Sequence, residues 1–248
     1  AWDRHWAPIE FSDENGNPAG ISMAYLSAIE KMLGIEFDMG HDLGWKQIET
    51  KVENREIDMF SCVAITSRRL EHLEFTATFL SLPIVIFARE DMPYIRDLSE
   101  MSDQRIAVVG GYAVDQWISH DYPSFSIHRT ASIKEGLALL RQDRVDAVLC
   151  NVLAGNYYLS QIGAHDIKIA GETSYKLKLR MAVRKDWPVF SRILQKALNA
   201  LPEAEKNLFY RKWALVKYEK GFDYELFWKI MAIISIGILA VVIWNRYM

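Results

Sequence analysis

Apolar and polar positions alternate along the chain in two periods, and the change of period marks the elements. Ser22 to Leu33 carries apolar residues at helical spacing and ends on Gly34, so it reads as a helix with a glycine stop. Ile35 to Met39 then reads as a strand, and Lys46 to Asn54 as a second helix. From Met59 to Ile65 the residues are apolar except for Ser61, a pattern that predicts a short buried strand. Leu82 to Ala88 predicts a longer strand. Arg105 to Val109 predicts another, leading into "GGYAVDQWI", a turn and a helix. Ser132 to Arg141 reads as a helix, Val145 to Leu149 as a strand and Val152 to Ile162 as a helix. Such alternation predicts an α/β fold with largely parallel sheets.

One pattern occurs twice. "ENREIDMFSC" (53–62) and "RQDRVDAVLC" (141–150) each run from a polar helix end through Ile or Val, Asp and three further residues to a cysteine. Asp58 and Asp146 are 88 residues apart, as are Cys62 and Cys150. Ten residues allow coincidence, but a duplicated α/β lobe accounts for the repeat better. Two such lobes leave a crevice at the carboxyl ends of their strands, where ligands bind in open α/β sheets.

The last apolar run is of another kind. "LFWKIMAIISIGILAVVIW" (226–244) carries one charge, Lys229, near its upstream end. As a helix it spans roughly 28 Å, close to the thickness of a bilayer core. Lys229 is placed to snorkel, while Phe222, Tyr224, Phe227, Trp228, Trp244 and Tyr247 flank the run as interfacial aromatics do. A buried core helix is the alternative, but the run has no polar face at helical period. The expectation is a folded head on a transmembrane helix, with an output domain beyond Met248.

Composition narrows the function. The 248 residues are half hydrophobic with a formal net charge of −3, enough for one large domain or two lobes and no pointer to nucleic acid. Two cysteines outside any CxxC pair imply no disulfide framework, and six scattered histidines imply no metal site. The chain begins at Ala1, so secretion is not readable from its start. No nucleophile–base pair or paired carboxylates suggest an enzyme, and no cofactor is expected.

Candidate binding chemistry sits where the Met59–Ile65 strand ends. Arg68 and Arg69 follow it, and a guanidinium at a crevice can hold a carboxylate bidentately. A solvated charge paired with Glu71 or Glu74 accounts for Arg69 equally well on spacing alone. In the second lobe, "VVGGYAV" predicts a strand, a Gly-Gly turn and a helix start whose free N–H groups attract anions. It lacks the GK[ST] of a nucleotide P-loop.

The stretches "WAPIEFSDENGNPAGISMAYLSAI", "GWKQIETKVENREIDM", "ITSRRLEHLEFT", "VDAVLCNVLAGNYYL", "MAVRKDWPVFSRILQKALNAL" and "KNLFYRKW" together resemble family 3 bacterial solute-binding proteins. They cover nearly all of residues 3–213 in the family's order. The pattern is nearest to sensor modules of membrane receptors such as histidine kinases or diguanylate cyclases. The resemblance implies a two-lobed periplasmic-binding-protein type II fold, a Venus flytrap, here with a C-terminal transmembrane helix. It implies lobe 1 at 1–90 and 179–218, lobe 2 at 91–178, a linker at 219–225 and the membrane helix at 226–245.

The resemblance also assigns the site. Arg69 rather than Arg68 falls on the carboxylate-holding position. Trp6 and Trp45 fall on the aromatic walls, and Asp3 where an acid approaches a ligand amine. Cys62 and Ala64 fall on the lobe 1 rim, Tyr112 and Ala113 on the lobe 2 anion loop. Asn151 falls where amino-acid binders usually place an aspartate, and an amide cannot neutralise an ammonium. That keeps small carboxylates other than α-amino acids open. Asn151 also reads as a helix N-cap, the two tryptophans as core aromatics and the two cysteines as small buried hydrophobes. A further departure is the family's first strand, which would precede Asp3.

The implied function is a ligand sensor in the bacterial inner membrane, its head in the periplasm. A carboxylate or amino-acid-like solute closes an open crevice, and the motion passes to the membrane helix; homodimerisation through the membrane-proximal region is compatible with this. The runner-up is a tethered solute-binding component of an amino-acid transporter. The positive-inside rule does not decide orientation, because large domains translocate regardless of charge.

Overall fold

A computed structural model describes residues 1–39 and 43–213. The elements predicted at 219–225 and 226–245 lie outside the described residues, among which no helix is long and apolar enough to cross a membrane.

The chain opens with a small antiparallel sheet of β1 (His5–Trp6), β2 (Glu10–Ser12) and β3 (Pro18–Ala19). Helix α1 (Ile21–Leu33) follows and stops where Gly34 takes the left-handed conformation and donates its N–H to Glu30 O. Next come α2 (Trp45–Glu53), β4 (Met59–Ala64), α3 (Ser67–His72), β5 (Leu73–Phe75) and β6 (Leu80–Arg89). Then follow β7 (Arg105–Val109), α4 (Ala113–Asp121), β8 (Ser126–Thr130), α5 (Ile133–Arg141), β9 (Ala147–Asn151) and α6 (Val152–Ile162). The long β10 (Ile167–Arg184) leads back to α7 (Pro188–Ala200) and α8 (Glu203–Trp213).

The main sheet has the order β4-β10-β6-β9-β7-β8, with β5 beside β10. It is mixed, not largely parallel as the alternation predicts. β7 runs parallel to β8 and β9, whereas β10 is antiparallel to β4, β5 and β6, and β6 to β9. The reason is that the chain leaves one half of the sheet on β6 and returns on β10, and strands running out and back are antiparallel. Register between them shifts within Glu172–Lys176. In the sheet and the helix α5 packed on it, Ile84, Ile86, Phe87, Ile106 and Leu137 are fully buried. Each such side chain contributes roughly 1.5–3 kcal/mol relative to exposure.

Ile35–Met39 forms no strand. Its backbone groups find side-chain partners instead: Phe37 N–H donates to Glu30 Oε1 at 2.8 Å, and Met39 O accepts from Trp2 Nε1 at 2.8 Å. The repeated decapeptide does mark equivalent places. Cys62 and Cys150 are each the fourth residue of their strand, β4 and β9. The aspartate four residues before each cysteine pairs with an arginine on a neighbouring strand: Arg184 reaches Asp58 at 2.9 Å and Arg105 reaches Asp146 at 2.7 Å.

Candidate functional site

All nine residues singled out above line one cavity, together with Val63, Ile84, Val109, Leu149 and Leu177. The cavity is about 30 Å³. At ~10–15 Å³ of such space per water molecule, that is room for about two waters. The expected open crevice is therefore closed, and side chains fill it.

Arg69 lies in the first turn of α3, where Thr66 caps the helix by accepting Arg69 N–H. Its guanidinium is buried, and four of its five N–H groups have partners. Nε and Nη2 donate to Glu49 Oε1 at 3.2 and 2.7 Å, Nη1 to Ala64 O at 3.0 Å, and Nη2 also to Gly111 O at 3.4 Å. Trp45 lies against it, 5.1 Å from guanidinium carbon to ring centroid. Burial lowers the Arg69 pKa and the Glu49 charge opposes that. Its partner is neither Glu71 nor Glu74. Arg68 faces outward and pairs with Glu53 at 2.6 Å.

Across the cavity the Gly-Gly turn differs from its expected role. Its N–H groups are taken: Gly110 donates to Thr130 O, Gly111 to Asp115 Oδ2 and Tyr112 to Val109 O. Arg129 also donates to Asp115, bracing the turn. The turn offers a carbonyl to the cavity side, Gly111 O, which accepts from Arg69 and from Trp45 Nε1 at 3.3 Å. Gly111 sits at φ 79°, a left-handed conformation that favours glycine, and a Cβ there would stand in ordinary contact with Trp45 at 3.4 Å. Free N–H groups begin one residue later, at the start of α4, which has no side-chain cap and contributes Ala113 and Val114 to the cavity wall.

Tyr112 stands between the two tryptophans, its ring centroid 5.6 Å from each. Its hydroxyl donates to Asp3 Oδ2, and Asp3 Oδ1 accepts from His5 N–H at 2.8 Å. Burial raises the pKa of Asp3 against the pull of these bonds, and raises Tyr112 well above the usual phenol range. Trp6 Nε1 is buried and has no hydrogen-bond partner among the described residues. Asn151 Oδ1 accepts from Ala154 N–H at 2.9 Å, so the N-cap reading holds and the amide's acceptor is used there. Cys62 and Cys150 are buried free thiols, both with pKa raised by burial.

Two carboxylates escape sequence reasoning. Glu49 holds Arg69, as described. Glu10 is fully enclosed, accepting from Asp3 N–H at 2.9 Å, Ser22 Oγ at 3.0 Å and Ser61 Oγ at 2.7 Å. With hydroxyls and an amide around it, and no cation hydrogen-bonded to it among the described residues, burial pushes its pKa up to about 8.

Residues 1–216 match the family described as bacterial extracellular solute-binding proteins, family 3. The chain belongs to that family. Among curated relatives, the virulence sensor protein BvgS of Bordetella pertussis (strain Tohama I) is 21% identical over 209 residues, covering 84% of this chain and 17% of BvgS. The chain thus spans about a sixth of that relative's length. Of solved structures, a histidine kinase sensor domain with similarity to periplasmic binding proteins superposes with a TM-score of 0.78 at 20% identity, covering 86% of this chain and 93% of that one. An ancestral arginine-binding protein bound to arginine gives 0.76 at 23% identity, covering 86% and 95%. These likenesses establish the periplasmic-binding-protein-like fold of this solute-binding module.

Proposed function

We propose that the chain is the ligand-sensing module of a membrane-anchored bacterial receptor, lying in the periplasm. A small carboxylate or amino-acid-like solute binds between lobe 1 (1–90 and 179–218) and lobe 2 (91–178). Lobe movement passes through 219–225 into an inner-membrane helix at 226–245. The observation that carries the ligand site is the convergence of nine residues from distant segments on one cavity between the halves of the sheet. The unpartnered Trp6 Nε1 and the uncapped start of α4 are donors awaiting an acceptor, which suits a carboxylate. Likeness to a virulence sensor protein and to a histidine kinase sensor domain supports the sensing role. Binding rather than catalysis is favoured because the thiols at the cavity are buried with raised pKa, leaving no ready nucleophile.

The test is a thermal-shift screen of small carboxylates and amino acids. A ligand at 100 times its Kd adds about 2.7 kcal/mol of stability. Stabilisation lost in Trp45→Ala supports the site; a ligand that stabilises wild type and Trp45→Ala alike binds elsewhere and removes it. The likeness to an arginine-binding protein favours a second reading, a tethered transporter component. The sequence after Met248 separates the two, since a sensor requires an output domain there.

A further inference from the structure

The Nε/Nη2 edge of Arg69 is where a carboxylate would be gripped by two N–H groups, and Glu49 already occupies it. The other two-toothed edge, Nη1/Nη2, donates to the carbonyls of Ala64 and Gly111. No pair of parallel N–H groups is left for an incoming anion. The pair is well shielded, with Arg69 and Glu49 side chains 6% and 11% exposed.

The ion pair also forms where the halves of the sheet meet. Glu49 comes from α2 and Arg69 from α3, whereas Gly111 belongs to the turn between β7 and α4. Glu49 Oε2 lies 3.7 Å from where a Gly111 Cβ would stand, so the carboxylate abuts the turn itself. Further bonds cross nearby: Trp45 Nε1 to Gly111 O, Tyr112 to Asp3, and Tyr158 OH to His5 O at 2.7 Å. The closed arrangement therefore satisfies its buried arginine using the chain's own groups.

We propose that Glu49 is an internal carboxylate that holds the ligand's place on Arg69. It lets the cleft close while empty and sets affinity, because an entering carboxylate has to displace it. This rests on the reading of the cleft as the ligand site, and Glu49 acts as a specificity-determining residue within it. A carboxylate that merely oriented Arg69 would have the opposite effect and assist ligand binding. The two roles predict opposite signs.

The experiment uses the full chain in detergent and acetate as the probe, since acetate carries the carboxylate that Glu49→Ala removes. Glu49→Ala is expected to melt below wild type, and acetate is expected to restore the loss in a saturable manner, while chloride at equal ionic strength does not. Wild type is expected to respond only at acetate concentrations at least tenfold higher. In the isosteric Glu49→Gln, which guards against a folding failure of the alanine variant, the affinity for acetate read by tryptophan fluorescence is expected to rise at least tenfold. Acetate that fails to restore Glu49→Ala, or that lifts it and wild type equally, overturns the proposal. So does a lower acetate affinity in Glu49→Gln, the mark of an orienting role. Failure of the cleft as a ligand site appears instead in the wild-type screen, through ligands indifferent to Trp45→Ala, so the two failures are distinguishable.

Discussion

The backbone N–H of Asp3 donates to Oε1 of Glu10 at 2.9 Å, tying a residue of the cavity wall to a carboxylate buried behind it. Glu10 keeps its proton in the fold up to pH about 8, whereas its ordinary value is 4.5. The folded state therefore binds more protons than the unfolded state between those limits. Stability is highest below pH 4.5 as far as this group is concerned, and falls as pH rises toward 8. The raised Asp3 pKa acts in the same direction. We expect the melting temperature to decline as pH rises above 5, by roughly 1.4 kcal/mol for each pH unit, and the decline to weaken above pH 6, where the buried Ala1 amino group, its pKa lowered to about 6, acts in the opposite direction. Glu10→Gln should flatten that slope. An unchanged slope would show that Glu10 is not the titrating group.

The two adjacent arginines should respond differently to truncation. Arg68→Ala removes an exposed ion pair with Glu53, worth about 0–1 kcal/mol. Arg69→Ala leaves Glu49 buried without its partner, which costs about 3–5 kcal/mol, and abolishes ligand-induced stabilisation. Chemical denaturation with and without ligand measures both effects. Equal losses from the two variants would place the binding arginine wrongly.

Asn151 caps α6, so Asn151→Ala should cost about 1 kcal/mol, while Asn151→Asp, also a good cap, should stay within about 0.5 kcal/mol of wild type. Denaturant midpoints are the readout. An aspartate variant as unstable as the alanine variant would mean that the amide has a second structural partner.

Both cysteines should be silent to thiol reagents in the native protein. They are buried and burial disfavours the thiolate. Denaturation of protein purified without reductant should then release two titratable thiols. A count of none would require a disulfide that the structure does not contain.

The decapeptide repeat and the cap at Asn151 were legible as local patterns, whereas Arg69 was ambiguous on spacing alone and was singled out from Arg68 by the family resemblance. The strand β10 was not legible. Lys176 and Lys178 alternate with buried Leu177 and Leu179, and a strand half exposed in this way lacks the continuous apolar run that reveals β4. Glu49 and Glu10 were hidden for another reason. A carboxylate on an amphipathic helix or in a short hairpin resembles a solvated one until its distant partner is known, and Arg69 lies 20 residues from Glu49, Ser61 51 residues from Glu10. The Gly-Gly turn was found, but which of its N–H groups remained free depended on Asp115 and Thr130, which act through folding rather than sequence adjacency.

Arg89 at the end of β6 is paired with Ile167 at the start of β10. Residues 90–166 thus leave and rejoin the rest of the chain at neighbouring positions, roughly 5 Å apart as opposed residues of an antiparallel pair are. Topologically that stretch is a cassette. Its excision leaves a gap that a two-residue hairpin loop can bridge. A related cassette of different length or sequence can be accepted at the same doorway without lengthening either strand. The part of the cavity wall contributed by Tyr112, Ala113 and Asn151 travels with the cassette, whereas Arg69 and its carboxylate stay behind. Grafting therefore exchanges one wall of the cavity as a unit while the anion anchor is kept.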